Sequence, residues 1–147
     1  MKKLPIAAVP VIMMLAAAGC GHPINNALPE EPLEFCAGTF CNPDNPSDTF
    51  LSVEYGGRTY IPYGVLKEAI DGDDVGACLG YYVQDGEKME DVRFFLLNAD
   101  PDANFLVRMQ IGGEMTQPDF FRAVDTKGRD VRIPRCIDSA DEESFWQ

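Results

Sequence analysis

The strongest β-strand pattern in the sequence is Phe50-Leu51-Ser52-Val53-Glu54-Tyr55-Gly56-Gly57-Arg58-Thr59-Tyr60-Ile61-Pro62-Tyr63. Two runs rich in aromatic and β-branched residues flank a Gly-Gly pair, and such runs favour β-strands. Glycine takes positive φ angles without steric cost, so the pair fits the two-residue turn of a β-hairpin. The stretch predicts a hairpin with strands over 50–55 and 58–63. Pro62 places the second strand at a sheet edge or marks its end.

Five further β-prone runs follow the hairpin, and most of them end at Gly, Asn or Asp residues that favour turns. We therefore expect a mostly-β fold, a small antiparallel sandwich or barrel-like meander of about seven short strands with little helix. Segment 64–70 is compatible with one or two helical turns, which are too short to form alone. The five runs cover residues 77–83, 91–97, 104–110, 119–124 and 130–133, the last two joined around Thr126-Lys127-Gly128.

The N-terminus begins with Met1-Lys2-Lys3 and continues with the uncharged, mostly apolar residues 4–18. A membrane-spanning helix needs about 20 apolar residues, so this shorter run fits a signal peptide. Ala17-Ala18-Gly19-Cys20 resembles the lipobox of bacterial lipoproteins, although that family prefers leucine where Ala17 stands. The resemblance implies that Cys20 receives a diacylglyceryl group and that residues 1–19 are removed. The protein would then be exported and anchored to the outer face of a bacterial membrane. An ordinary secretory signal, cut after Ala18, is the alternative.

The domain organisation follows from this start. Removal of residues 1–19 leaves 128 of the 147 residues, enough for one domain with a core of its own. Residues 20–47 contain five prolines and predict a lipidated tether that stands off the membrane. The β domain is predicted over 48–137, and residues 138–147 form an acidic tail.

The chain contains five cysteines, and acylation of Cys20 leaves an even four: Cys36, Cys41, Cys78 and Cys136. Export permits disulfide bonds, and four cysteines allow three connectivities. We prefer Cys36–Cys41 with Cys78–Cys136, because the second pair falls in or beside two predicted strands. The sequence itself leaves the other two connectivities open.

The net charge is strongly negative. The full chain has 24 acidic and 12 basic side chains, and loss of Lys2 and Lys3 with the signal peptide leaves 10 basic ones, a net charge of −14. Such a surface repels nucleic acid and anionic lipid, so we expect no nucleic-acid partner. The membrane contact is expected through the lipid anchor.

Motifs for catalysis and for metal binding are incomplete. A Ser-His or Cys-His site needs a histidine in the domain, and none follows His22. Zinc sites need closely paired ligands, and Cys36 and Cys41 form the one C-x₄-C. Asp100 opens a D-x-D-x-N stretch, but Phe105 and Ile111 stand where a calcium loop needs glycine and glutamate. We predict no metal site and no cofactor.

The tyrosines of the predicted strands are the candidate binding surface. Tyr60, Tyr63, Tyr81 and Tyr82 would form an exposed patch for a peptide or a glycan if they shared one sheet face. The alternative is ordinary strand composition, because tyrosine suits a half-buried pleated surface.

The sequence thus predicts a non-enzymatic, membrane-anchored surface lipoprotein that binds an envelope protein, a peptide or a glycan. An envelope enzyme or a metal-binding accessory protein that uses carboxylates is the alternative, and a structural spacer is a third possibility. A pocket with converging carboxylates would favour the enzyme, and an exposed tyrosine patch would favour the binding module.

Overall fold

The structure is a computed structural model that describes residues 21–112, 117–139 and 143–147. The predicted signal peptide and Cys20 lie outside the described residues, as do residues 113–116 and 140–142. Ten β-strands and two 3₁₀ turns, Val124–Thr126 and Ser144–Trp146, form the described part, which contains no α-helix. The strands are β1 (Leu33–Cys36), β2 (Gly38–Asn42), β3 (Asn45–Tyr55), β4 (Arg58–Pro62), β5 (Val65–Leu66), β6 (Val75–Gln84), β7 (Glu87–Leu97), β8 (Phe105–Gln110), β9 (Asp119–Ala123) and β10 (Ile137–Asp138).

Eight strands form one curled sheet in the order β1-β6-β7-β8-β9-β4-β3-β2, and β5 pairs with β10 in a second, two-stranded sheet. The mostly-β fold with a barrel-like curl is confirmed. The sheet is mixed, because β1 runs parallel to β6 while the other pairs are antiparallel. The curl brings β1 towards β3, two strands that are far apart in sheet order, and the rings of Phe35 and Tyr55 lie 6.2 Å apart. The result is a half-barrel.

Both faces of this sheet are buried. The interior face carries one core cluster, in which Phe35 stacks on Phe94 with ring centroids 4.3 Å apart. The outer face carries a second cluster, covered by residues from segments outside the large sheet, including Ile24, Leu66 and Trp146. The interior cluster consists of Phe35, Val53, Tyr60, Tyr82, Phe94, Leu106, Phe121 and Ala123.

The β3–β4 hairpin has the predicted turn. Gly56 and Gly57 take φ angles of 58° and 75°, and Tyr55 pairs with Arg58 directly across the turn. Pro62 is the last residue of β4, which lies between β3 and β9 inside the sheet. The proline therefore ends the strand and does not mark a sheet edge.

One local prediction after the hairpin is wrong, and one alternative that the sequence left open is decided. Residues 130–133 form no strand, because the chain turns at Val124–Thr126, where the Thr126 hydroxyl donates to the Ala123 carbonyl at 2.7 Å. This local side-chain bond replaces the predicted hairpin, as threonine hydroxyls do in turns. Segment 64–70 is not helical, because Val65–Leu66 pairs with Ile137–Asp138.

The predicted tether and tail belong to the folded domain. β1, β2 and the start of β3 fall within residues 20–47, and Asn42 and Asp44 close a turn through a backbone-to-side-chain bond of 3.0 Å. None of the five prolines lies in β1 or β2: Pro43 lies in the turn between β2 and β3, and Pro46 lies near the start of β3, before β3 begins to pair with β4 at Val53. In the tail, Phe145 is buried and packs edge-to-face on Phe40.

Candidate functional site

A groove of about 440 Å³ opens at the end of the half-barrel where β6 turns into β7. Ligand pockets of this size are common at the mouths of β-barrels. Strand alternation builds it: Leu106 lies in the interior cluster, so Arg108 and Gln110 follow on the same face of β8. Its lining residues are Tyr82, Gln84, Met89, Val92, Arg108, Gln110, Gln117 and Asp119.

Arg108 is the central residue of this groove. It lies directly across from Asp119 in the β8–β9 register, and its Nη2 and Nε donate to Asp119 Oδ2 at 2.8 and 3.2 Å. Its guanidinium carbon lies 5.0 Å from the centre of the Tyr82 ring and 5.2 Å from that of Phe121. Aromatic faces attract a cation at these distances, so the position of the guanidinium is fixed by the barrel wall.

The remaining polar groups of the groove are the side-chain amides of Gln84, Gln110 and Gln117. Each amide can both donate and accept hydrogen bonds. Met89 and Val92 supply the apolar part of the lining. Among the described residues, Asp119 is the one carboxylate in the lining, and it is paired with Arg108, so these residues can orient a polar ligand but supply no second carboxylate for acid–base chemistry.

The predicted tyrosine surface is wrong. Tyr60, Tyr63, Tyr81 and Tyr82 are all buried, at 0 to 5% exposure. Tyr60 and Tyr82 belong to the interior cluster and Tyr63 to the outer one, whereas the hydroxyl of Tyr81 donates to Glu34 at 2.9 Å. The hydroxyl of Tyr60 donates to the Ala103 carbonyl at 2.6 Å, and burial raises its pKa. Tyr82 alone of the four lines the groove, beneath Arg108.

The predicted disulfide framework also differs from the structure, in which Cys36, Cys41, Cys78 and Cys136 are free thiols. Cys36 lies on β1, which pairs with β6, and Cys41 lies on β2, which pairs with β3, so the two cysteines do not close a small loop. Cys136 lies in a turn just before β10 and not in a strand. Burial raises the pKa of both Cys78 and Cys136, which keeps them as thiols at neutral pH.

Asp100, which opens the D-x-D-x-N stretch, and Asp71 both accept hydrogen bonds from backbone amides of nearby residues. Asp100 accepts the Phe105 amide at 2.7 Å, and burial raises its pKa despite this bond. Asp71 accepts the Asp73 amide at 2.8 Å. Within the three described segments, no three histidine, cysteine, aspartate or glutamate side chains are arranged to hold a metal ion.

The opposite end of the half-barrel is closed around Arg58. Its Nε and Nη2 donate to the two carboxylate oxygens of Asp125 at 3.0 and 2.8 Å, and Nη2 also reaches the side chain of Asn104 at 2.9 Å. Nη1 donates to the carbonyls of Asp102 and Ala103. This pairing lowers the pKa of Asp125.

Apart from Tyr82, the groove residues were not identified from the sequence. A usable signal was present, because the interior positions of β8 change from Leu106 to Arg108 and Gln110 along the strand. Polar residues at inward positions near one strand end indicate an open barrel mouth.

No protein-family model, curated protein or solved structure matches the chain. The fold and the site define a structural class, a mostly-β half-barrel with a polar groove at one end. A search of the described residues for a helix long and apolar enough to cross a membrane finds none.

Proposed function

We propose that the chain is a non-enzymatic lipoprotein, anchored to the outer face of a bacterial membrane through acylated Cys20, whose half-barrel binds a ligand in the Arg108 groove. The observation that supports the binding role is the Arg108–Asp119 pair, which is fixed against aromatic rings beside three side-chain amides. A few fixed polar groups on a partly apolar concave surface are typical of binding sites.

The chemistry of the groove favours a peptide segment as the ligand. The charge of Arg108 is balanced by Asp119, so the lining offers hydrogen bonds more than net charge. Glutamine amides match the donors and acceptors of a peptide backbone. A glycan would stack on exposed aromatic faces, whereas the four candidate tyrosines are buried.

The anchor is tested by fractionation of cells that produce the full chain. Cys20→Ala is expected to move the protein from the membrane fraction to the soluble fraction, because it removes the acylation site. Cys41→Ala, which changes an exposed cysteine of the domain, is the matched control and should stay with the membrane. Unchanged fractionation of Cys20→Ala would remove the anchor from the proposal.

The groove is tested with a photo-crosslinking amino acid placed at Gln110, and at the exposed Glu54 as control, in membranes that carry the acylated protein. Adducts are expected from position 110, and an Arg108→Met change in the same protein should reduce them. Equal adducts from both positions, or no effect of Arg108→Met, would contradict a binding role for the groove.

A further inference from the structure

We propose that the anchored domain has a fixed orientation, in which the turn at residues 71–74 lies against the membrane and the Arg108 groove faces away from it. The inference rests on the acylation of Cys20 proposed above. The orientation of the domain sets the direction from which a ligand reaches the groove. Three observations carry it: the docking of residues 22–26, the short distance from Cys20 to that docked segment, and the position of the groove along β6.

The first observation is that the segment after Cys20 is bound to the domain. The His22 carbonyl accepts the Gly72 amide at 2.7 Å, and His22 Nδ1 lies 2.9 Å from Asp73 Oδ1. Ile24 packs against the outer core cluster, and the Asn26 carbonyl accepts a hydrogen bond from Arg93. Residues 22–26 therefore follow the surface of the domain.

Two glycines make this close packing possible. A Cβ atom on Gly21 would lie 1.4 Å from Asp71 Oδ2, and one on Gly72 would lie 2.4 Å from the Pro23 carbonyl oxygen. Both distances are below any van der Waals contact, and the second one involves backbone, which has little freedom to move. A side chain at Gly72 would push the N-terminal segment off the turn, whereas one at Gly21 would displace the side chain of Asp71.

The second observation is the length of chain left free. Gly21 alone separates Cys20 from the docked His22, and two residues span at most about 7 Å. An acylated Cys20 therefore keeps the turn at residues 71–74 close to the lipid headgroups. If residues 21–32 were instead an extended proline-rich tether, they would span about 40 Å at roughly 3.1 Å per residue.

The third observation is the position of the groove. β6 begins at Val75, next to this turn, and ends at Gln84, which lines the groove. Ten residues of strand at about 3.3 Å per residue extend roughly 30 Å. The rim of the groove at Gln84 therefore lies at the far end of β6 from the anchor, and Arg108, which pairs with Phe94 opposite Gly80, lies about halfway along β6. A partner reaches this rim from outside the bilayer.

The experiment measures fluorescence quenching at the two ends of the acylated protein in phosphatidylcholine vesicles with a headgroup-linked quencher. In a Cys36→Ala, Cys41→Ala background, one dye is attached through Ala99→Cys and, in a second protein, through Glu87→Cys. Both positions are exposed, and Ala99 follows Asn98, which donates to the Asp73 carbonyl at 3.0 Å. We expect quenching at position 99 to exceed that at position 87 at least threefold.

Two changes should abolish the difference if docking causes it. One is Gly72→Leu, and the other is a ten-residue Gly-Ser insertion after Gly21, which leaves every described contact of the domain available. Equal quenching at both positions without these changes, or a difference that survives the insertion, overturns the orientation alone. Failure of the acylated protein to associate with vesicles overturns the anchor, and this inference with it.

Discussion

The two ends of the half-barrel each hold an arginine beside an aspartate, yet the two arginines have different surroundings. Arg58 at the closed end uses all three guanidinium nitrogens, on one carboxylate, one side-chain amide and two backbone carbonyls. Arg108 at the groove bonds Asp119 and, among the described residues, no other hydrogen-bond acceptor. Its other contacts are the faces of Tyr82 and Phe121.

The difference separates a structural role from a binding role. A guanidinium with every nitrogen occupied joins the loops around it and has little left for a ligand. Arg58 joins the β3–β4 hairpin to residues 102–104 and to Asp125, three segments that are distant in sequence. Arg108 joins two adjacent strands that already pair with each other, so the fold depends on it less.

Arg58→Met should give the largest effect. The change removes several hydrogen bonds, and each one that involves a charged group is worth about 1.5–3 kcal/mol. Because the Arg58 side chain is 25% exposed and water replaces part of the loss, we expect the free energy of unfolding to fall by about 2–4 kcal/mol. Urea unfolding measures it as a lower midpoint with an unchanged slope. A cost equal to that of Arg108→Met would contradict the comparison.

Thiol reactivity compares the exposed and the buried cysteines without altering either arginine. In the Cys20→Ala protein, Cys36 and Cys41 are exposed, and Cys36 pairs with Val83 near the groove. Cys136 is buried and Cys78 is partly buried, and burial raises the pKa of both, so their thiolate fraction at pH 8 is below that of an ordinary cysteine.

We expect two thiols to react with a disulfide reagent at least about ten times faster than the other two, a difference of about 1.4 kcal/mol. Peptide mapping of the trapped protein identifies which ones. Four equal rates would indicate that local opening of the fold readily exposes Cys78 and Cys136. Fewer than four thiols after unfolding would contradict the free thiols of the structure.

The parts of the fold that the sequence predicted are those with local causes. The Gly56-Gly57 turn needs only two residues that accept positive φ, and the strand runs near 77–83, 91–97 and 104–110 carry their own β propensity. The failures have tertiary causes. β1 forms because Gly80 has no side chain, which lets the backbone of Leu33 lie close to it. A Cβ atom on Gly80 would lie 2.0 Å from the carbonyl oxygen of Leu33. The local sequence around Leu33 does not predict this pairing.

The site was missed for a related reason. Tyrosine is equally suited to a half-buried strand and to a binding surface, and only the curl of the sheet and its outer cover decide that these tyrosines are buried. Arg108, Gln110 and Asp119 come from two strands and share a groove only through the β8–β9 register. When each strand is considered alone, its polar residues look like the solvent-exposed face of a sheet.

Arg108→Met should give the smallest effect on stability. The Asp119 side chain is 58% exposed, and exposed ion pairs contribute about 0–1 kcal/mol. Methionine also keeps an apolar stem against Tyr82 and Phe121, so the expected loss is below about 1 kcal/mol. A double-mutant cycle with Asp119→Leu should give a coupling energy of about 0.5 kcal/mol by urea unfolding. A loss of about 3 kcal/mol would place Arg108 in the class of Arg58. A small loss of stability together with a loss of crosslinking from Gln110 is the combination that a structural arginine cannot produce.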